Sequence, residues 1–209
     1  MMRIDSVASQ PDRVGRHLVR FEDGTDMRLY RQTIQDFGIY AGAELTEESF
    51  AKLKDAASAM SAKMRAIRIV SASSVSRGDL QRRLIHKGED PQLAEAAVAW
   101  MEEMDLIDDR KTAQQVVQRC IGKGYGLVRA KQALYEKRIP KQYWQEVLEN
   151  YPDQLDAIVD FLRSRLAEGF TEKELRKATD ALLRRGHTYG QIRAGLQELA
   201  LDTEDLRED

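Results

Sequence analysis

The chain has 209 residues, a formal net charge of −2 and 33% charged side chains. That length suits one large domain or an array of smaller units, and the near-neutral total excludes a bulk polycation. Cys120 is the sole cysteine, which excludes an intrachain disulfide framework. With no signal-like apolar segment and no run of membrane-spanning length, the chain reads as a soluble cytoplasmic protein. Charge is uneven: residues 61–150 hold 16 basic against 12 acidic side chains, whereas 1–60 and 151–209 are net acidic.

Residues 1–45 read as an N-terminal β-hairpin extension. Val14, Leu18, Val19 and Phe21 precede Glu22-Asp23-Gly24-Thr25, and Met27, Leu29 and Tyr30 follow it. Asp-Gly between two short apolar runs predicts a hairpin. Two strands alone are marginally stable, so the hairpin is expected to pack on something else. A short helix is expected over 33–37, ended by Gly38, with Ala41-Gly42-Ala43 as a connector.

From Thr46 the pattern turns helical. Thr46 is the expected N-cap, with Glu47 and Glu48 in the first turn. Phe50, Leu53, Ala57, Met60, Met64 and Ile67 then recur at steps of three and four, one stripe on a long helix. The serine cluster at 71–76 ends it. A short helix carrying Leu80, Leu84 and Ile85 stops at Gly88, and Asp90-Pro91 opens the next. That helix carries Leu93, Ala97, Trp100, Met101 and Met104. Asp108 and Asp109 are read as helix caps rather than as metal ligands or a general acid.

The pattern then repeats. Ser74-Val75-Ser76, Leu80, Leu84 and Lys87-Gly88 echo as Gly124-Tyr125-Gly126, Ala130, Leu134 and Lys137-Arg138. A looser echo runs through Gly169-Phe170-Thr171, Leu175, Leu182 and Arg185-Gly186. Self-similarity at this period predicts stacked helical units, too thin to bury their apolar faces alone. The expected fold is mostly α: three tandem three-helix repeats in an elongated array, with the hairpin extension. The repeats are placed at 46–108, 109–152 and 153–201, and an acidic tail at 202–209. Helices are expected over 109–121, 126–137 and 140–150, then over 154–168, 171–185 and 188–199. The middle helix of the third repeat is expected to be about three residues longer than its counterparts.

The order and spacing of three runs resemble the bacterial RecX family. They are Ser76-Arg77-Gly78-Asp79-Leu80-Gln81-Arg82-Arg83-Leu84-Ile85-His86-Lys87-Gly88, Met104-Asp105-Leu106-Ile107-Asp108-Asp109 and Gly124-Tyr125-Gly126. The resemblance is strongest over residues 61–150. The chain departs from the family at Asp79, where glutamate is commoner, at Thr112-Ala113, where an aromatic followed by alanine is common, and at Arg138, where glycine is frequent. The resemblance implies tandem three-helix repeats and a non-enzymatic regulator of the RecA recombinase. It implies binding in the groove of the RecA filament on single-stranded DNA. Strand exchange, ATP hydrolysis and the co-protease activity that triggers the SOS response would be inhibited there.

The residues supply their own candidates. Arg82, Arg83 and Lys87 lie in the first repeat. Arg119, Lys123, Arg129, Lys131, Lys137 and Arg138 lie in the second, and Arg176, Lys177, Arg184 and Arg185 in the third. Cations recur at the same helix end in each repeat, and with constant stacking rotation they would form a stripe suited to a phosphate backbone or an acidic groove. Favourable placement against the helix dipole is the better explanation of any one of them, and the recurrence of the set is what favours a functional stripe. Leu80, Leu84, Gly88, Asp108, Asp109 and Tyr125 are read as structural. Tyr125 is expected at a repeat junction, with Val75 and Phe170 as its counterparts. Trp100 and Trp144 read as core, Tyr143 as a lesser stacking candidate, Cys120 as buried and inert, and His17, His86 and His187 as surface residues. Gly122, Gly124 and Gly126 lack the spacing of a phosphate-binding loop. No nucleophile, base and oxyanion donor come together, so neither catalytic residues, metal nor cofactor is expected. The expected form is a monomer. A duplex-binding helix-turn-helix regulator and an α-solenoid protein adaptor remain open alternatives.

Overall fold

The Asp23-Gly24 turn forms as its sequence requires. Gly24 takes φ +85° and the Asp23 carboxylate accepts from the Thr25 amide. In the computed structural model, which describes residues 1–167 and 169–205, this turn joins β2 (Arg16–Phe21) to β3 (Asp26–Tyr30). The hairpin is half of a larger sheet. β1 (Met2–Val7) and β4 (Glu44–Leu45) add to it in the antiparallel order β3-β2-β1-β4. β1 escaped the sequence reading because Arg3, Asp5 and Ser6 hide its single fully buried side chain, Ile4. A short helix α1 (Arg31–Asp36) links the hairpin to β4.

The chain divides into two compact units. The first joins Met1–Ser74 to Leu80–Ile107, and the second joins Val75–Asp79 to the chain from Asp108 onward. In the first unit, α2 (Glu47–Ala72) packs Leu53 against Ile4, Val19, Phe21 and Leu29, with Phe50 edge-on to Phe21 at 5.2 Å. The Thr46 hydroxyl caps α2 by accepting from the Ser49 amide. The apolar stripe then drifts. Beyond Leu53 the fully buried residues are Ala62, Ala66 and Ile69, while Met60, Met64 and Ile67 are half-buried. Alanines on that face let α4 (Pro91–Glu103) come close, burying Ala94, Ala97, Val98 and Met101. Met104, expected on the buried face of α4, is instead exposed beyond the helix end, and Trp100 lies half-buried under Lys63. Asp90 caps α4, with Pro91 at its first position.

The second unit carries the two later repeats. Its helices are α5 (Asp109–Gly122), α6 (Leu127–Glu136), α7 (Trp144–Leu148), α8 (Leu155–Arg163), α9 (Glu172–Arg184) and α10 (Tyr189–Asp205). α7 is shorter than expected because a 3-10 turn, Lys141–Tyr143, precedes it. α8 ends at Arg163, where the sequence suggested 168. α10 runs on to Asp205, through the start of the expected acidic tail; residues 206–209 lie outside the described residues. Ala113, Val117, Leu134 and Ile139 form one core with Tyr143, Trp144 and Tyr151 around it, and the Trp144 indole donates to the Ile139 carbonyl. Ile158, Leu162, Ala178, Leu182 and Ile192 form another, where Gly195 admits Ile158 to a distance that no larger residue would allow.

α3 (Arg77–His86) spans the division: its first turn belongs to the second unit and Leu80–His86 to the first. α9 has 13 residues against 10 in α3 and in α6. Counted back from the helix ends, Leu80, Ala130 and Ala178 are equivalent and all are buried. Leu175, which the sequence placed there, is half-buried one turn earlier. Val75 is buried and Tyr125 half-buried, but Phe170 is 42% exposed, so the third repeat does not cover this position as the others do.

Candidate functional site

The recurring cations stand at helix ends of identical construction. After α3, the Gly88 amide donates to Ile85 and the Glu89 amide to Leu84. After α6, Arg138 donates to Tyr135 and Ile139 to Leu134; after α9, Gly186 donates to Leu183 and His187 to Leu182. Each turn needs a left-handed residue, and Gly88, Arg138 and Gly186 have φ of +88°, +54° and +87°. Leu84, Leu134 and Leu182 anchor the three ends and are wholly buried.

The carbonyl just before each left-handed residue is also taken, every time by a donor from earlier in the chain. In the first unit the Arg65 guanidinium donates to the Lys87 carbonyl at 2.6 Å and pairs with Glu89. In the second unit the Ser76 hydroxyl donates to the Lys137 carbonyl, and the Gly126 amide donates to the Arg185 carbonyl at 2.9 Å. The cationic residue is therefore fixed by its backbone, leaving its side chain to other uses.

The turn that supplies the Ser76 donor is itself capped. The Ser76 oxygen also accepts from the Asp79 amide, and the Asp109 carboxylate accepts from the Arg77 amide at 2.7 Å. Asp108 caps α5 by accepting from the Lys111 amide, which holds its carboxyl below the usual range. Both carboxylates thus act as caps. At the α9 end, Gly126 and Gly186 meet backbone to backbone: a Cβ on Gly126 would strike the Gly186 carbonyl, and one on Gly186 the Arg129 amide. The same approach buries His187, against the expectation of a surface histidine. Its Nε2 lies 3.0 Å from the Gly124 carbonyl, and burial lowers its pKa. The Tyr151 hydroxyl donates to the Tyr125 carbonyl, its pKa pushed up to about 12 by burial. Cys120 is buried as expected, which raises its thiol pKa.

The contact between α6 and α9 opens a cleft of about 700 Å³ wholly inside the second unit. It gathers four of the candidate cations, Arg129, Lys177, Arg184 and Arg185, together with Arg165, which the sequence reading did not single out. Arg185 lies over the Phe161 ring at 4.5 Å and Arg165 over the same ring at 5.6 Å. Arg129 is paired with Glu136 at 2.9 Å. Ala178 and Ala181 leave space between the long side chains, and Glu174 and Asp180 are the acidic lining residues. Glu174 is engaged in a capping box with Thr171.

The other candidates lie elsewhere. Arg82 and Lys87 are exposed and Arg83 is half-buried, all in the first unit. Arg119, Lys123, Lys131, Arg138 and Arg176 are exposed, and Lys137 half-buried, outside the cleft lining. Lys123 sits over the Tyr125 ring at 5.9 Å.

Among known proteins, no family model matches the chain. A regulatory protein RecX of Xanthomonas axonopodis pv. citri is 31% identical over 144 residues, covering 68% of this chain and 87% of that protein. The regulatory protein RecX of Vibrio parahaemolyticus is 26% identical over 142 residues, 66% of this chain and 92% of its own length. A crystal structure of a regulatory protein RecX superposes with a TM-score of 0.63 at 19% identity, covering 92% of this chain and 98% of that one. That of RecX from Lactobacillus salivarius gives 0.59 at 20% identity, covering 70% and 99%. The repeated helix ends that the sequence echo pointed to therefore stand in a protein of known kind: the chain belongs to the RecX family of regulatory proteins.

Proposed function

We propose that this protein binds the RecA filament on single-stranded DNA and lowers its recombinase, ATPase and co-protease activities, so restraining DNA repair and the SOS response. It acts by binding rather than by catalysis, as a monomer in the cytoplasm. Family membership is the observation that carries this reading. The construction of the helix ends supports it. Lys87, Lys137 and Arg185 are tied at their carbonyls, so their charged ends are presented from fixed backbone. A charged side chain on fixed backbone loses less freedom when it meets an acidic groove or a phosphate. Arg82, Arg83, Arg119, Lys123, Arg129, Lys131, Arg138, Arg176, Lys177 and Arg184 complete the proposed contact set.

The test is RecA ATP hydrolysis on single-stranded DNA with substoichiometric protein added. The expected result is inhibition that weakens as salt rises. Reversing charge at Lys87, Lys137 and Arg138 together is expected to weaken inhibition and flatten its salt dependence. Unchanged hydrolysis and unchanged filament stability at every ratio would overturn the proposal.

A further inference from the structure

We propose that the cleft among α6, α8 and α9 is a polyphosphate site, receiving phosphates in series such as those of a nucleoside triphosphate. The proposal stands whether or not the protein acts on RecA.

Three features point there. First, cations enter one concavity from three helices: Arg129 from α6, Arg165 just past α8, and Lys177 and Arg184 on α9 with Arg185 at its end. Among the described residues, Arg165, Lys177, Arg184 and Arg185 make no ion pair with a carboxylate. Like charges held together in this way repel, and an entering anion removes that cost. Second, the volume of about 700 Å³ lies in the range of small-ligand pockets. Five lining cations against two lining carboxylates, Glu174 and Asp180, suit a compact polyanion better than a strand, which needs charge along an open path. Third, the aromatic rings already carry cations: Arg165 and Arg185 over Phe161, and Lys123 over Tyr125. Guanidinium stacking holds the forks in place for phosphate oxygens while taking up ring surface that a base would use. Recognition is therefore of the phosphates and not of the base.

The site is an outcome of the fold. Gly126 and Gly186 bring the start of α6 to the end of α9, and the Gly126 bond to the Arg185 carbonyl fixes the backbone from which that guanidinium extends.

The test is calorimetric titration of the full chain at low ionic strength with inorganic triphosphate, ATP and a short oligothymidylate. Triphosphate and ATP are expected to bind at one site with affinities within about threefold of each other, since the base is not read. The double variant K177E/R184E is expected to lose about tenfold or more, and R165E, on another segment, to lose in the same direction. K141E/R193E carries the same change in total charge away from the cleft and should lose no more than about twofold. Absence of triphosphate binding, or equal losses in the two double variants, overturns the proposal. So does binding of oligothymidylate without triphosphate, which would assign the cleft to a nucleic-acid backbone.

Discussion

The ends of α6 and α9 are held by one arrangement built from different chemistry. At α6 a side chain makes the link: the Ser76 hydroxyl reaches the Lys137 carbonyl, and Gly78 leaves room for Arg138, whose Cβ and carbonyl would lie 3.2 and 3.3 Å from a Cβ on Gly78. At α9 the link is backbone to backbone, through Gly126, with Gly186 as the left-handed residue. The serine version tolerates a bulky arginine at φ +54°, whereas the glycine version brings two main chains into contact and excludes any side chain. The tighter junction is also the one that forms the basic cleft. In this protein a closer approach of two repeats and a concentration of charge are the same structural event.

The comparison can be broken most severely at the tighter end. Gly186→Ala puts a Cβ into the Arg129 amide at φ +87°, and urea unfolding should show a loss of about 3 kcal/mol or more in the second unit. Ser76→Ala removes one bond at the looser end and the cap on the Asp79 amide, for about 1–2 kcal/mol by the same measurement. An equal loss for the two variants would erase the distinction.

Arg138→Gly should go the other way. It relieves the left-handed backbone and is expected to stabilise by about 1 kcal/mol, read as a higher urea midpoint.

Acid provides a finer probe. His187 has a folded pKa below its ordinary value because it is buried, so the unfolded chain binds the proton more readily. Its contribution is complete above about pH 6.5 and falls as pH drops through that value toward the folded pKa. His187→Gln should flatten the decline as pH falls just below about 6.5. The carboxylates of Asp12, lowered to about 2 chiefly by the Arg16 amide, and of Asp108 add nothing to that window. A slope unchanged by the substitution would contradict this assignment.

These junctions also mark how far the sequence could be read. Local signals were legible: the Asp23-Gly24 hairpin, the Thr46 and Asp90 caps and the glycine end at Gly88 depend on neighbours in the chain. The echo identified the repeats because Leu84, Leu134 and Leu182 do the same packing. The buried face of α2 was misplaced beyond Leu53, since two small alanines facing α4 decide it and apolar size does not. The cleft was not legible because Arg165 and Arg185 share Phe161 only after the fold brings α8 and α9 together. His187 looked like any polar turn residue; what buries it is the Gly124 carbonyl 63 positions away. Nothing in either segment alone announces that contact.

The most direct test of the account is co-sedimentation with RecA, with and without single-stranded DNA. The protein is expected to pellet with RecA assembled on single-stranded DNA and to remain in the supernatant with unassembled RecA, with less in the pellet as salt rises. Equal recovery in the supernatant under all conditions, or pelleting that ignores RecA assembly, would contradict it.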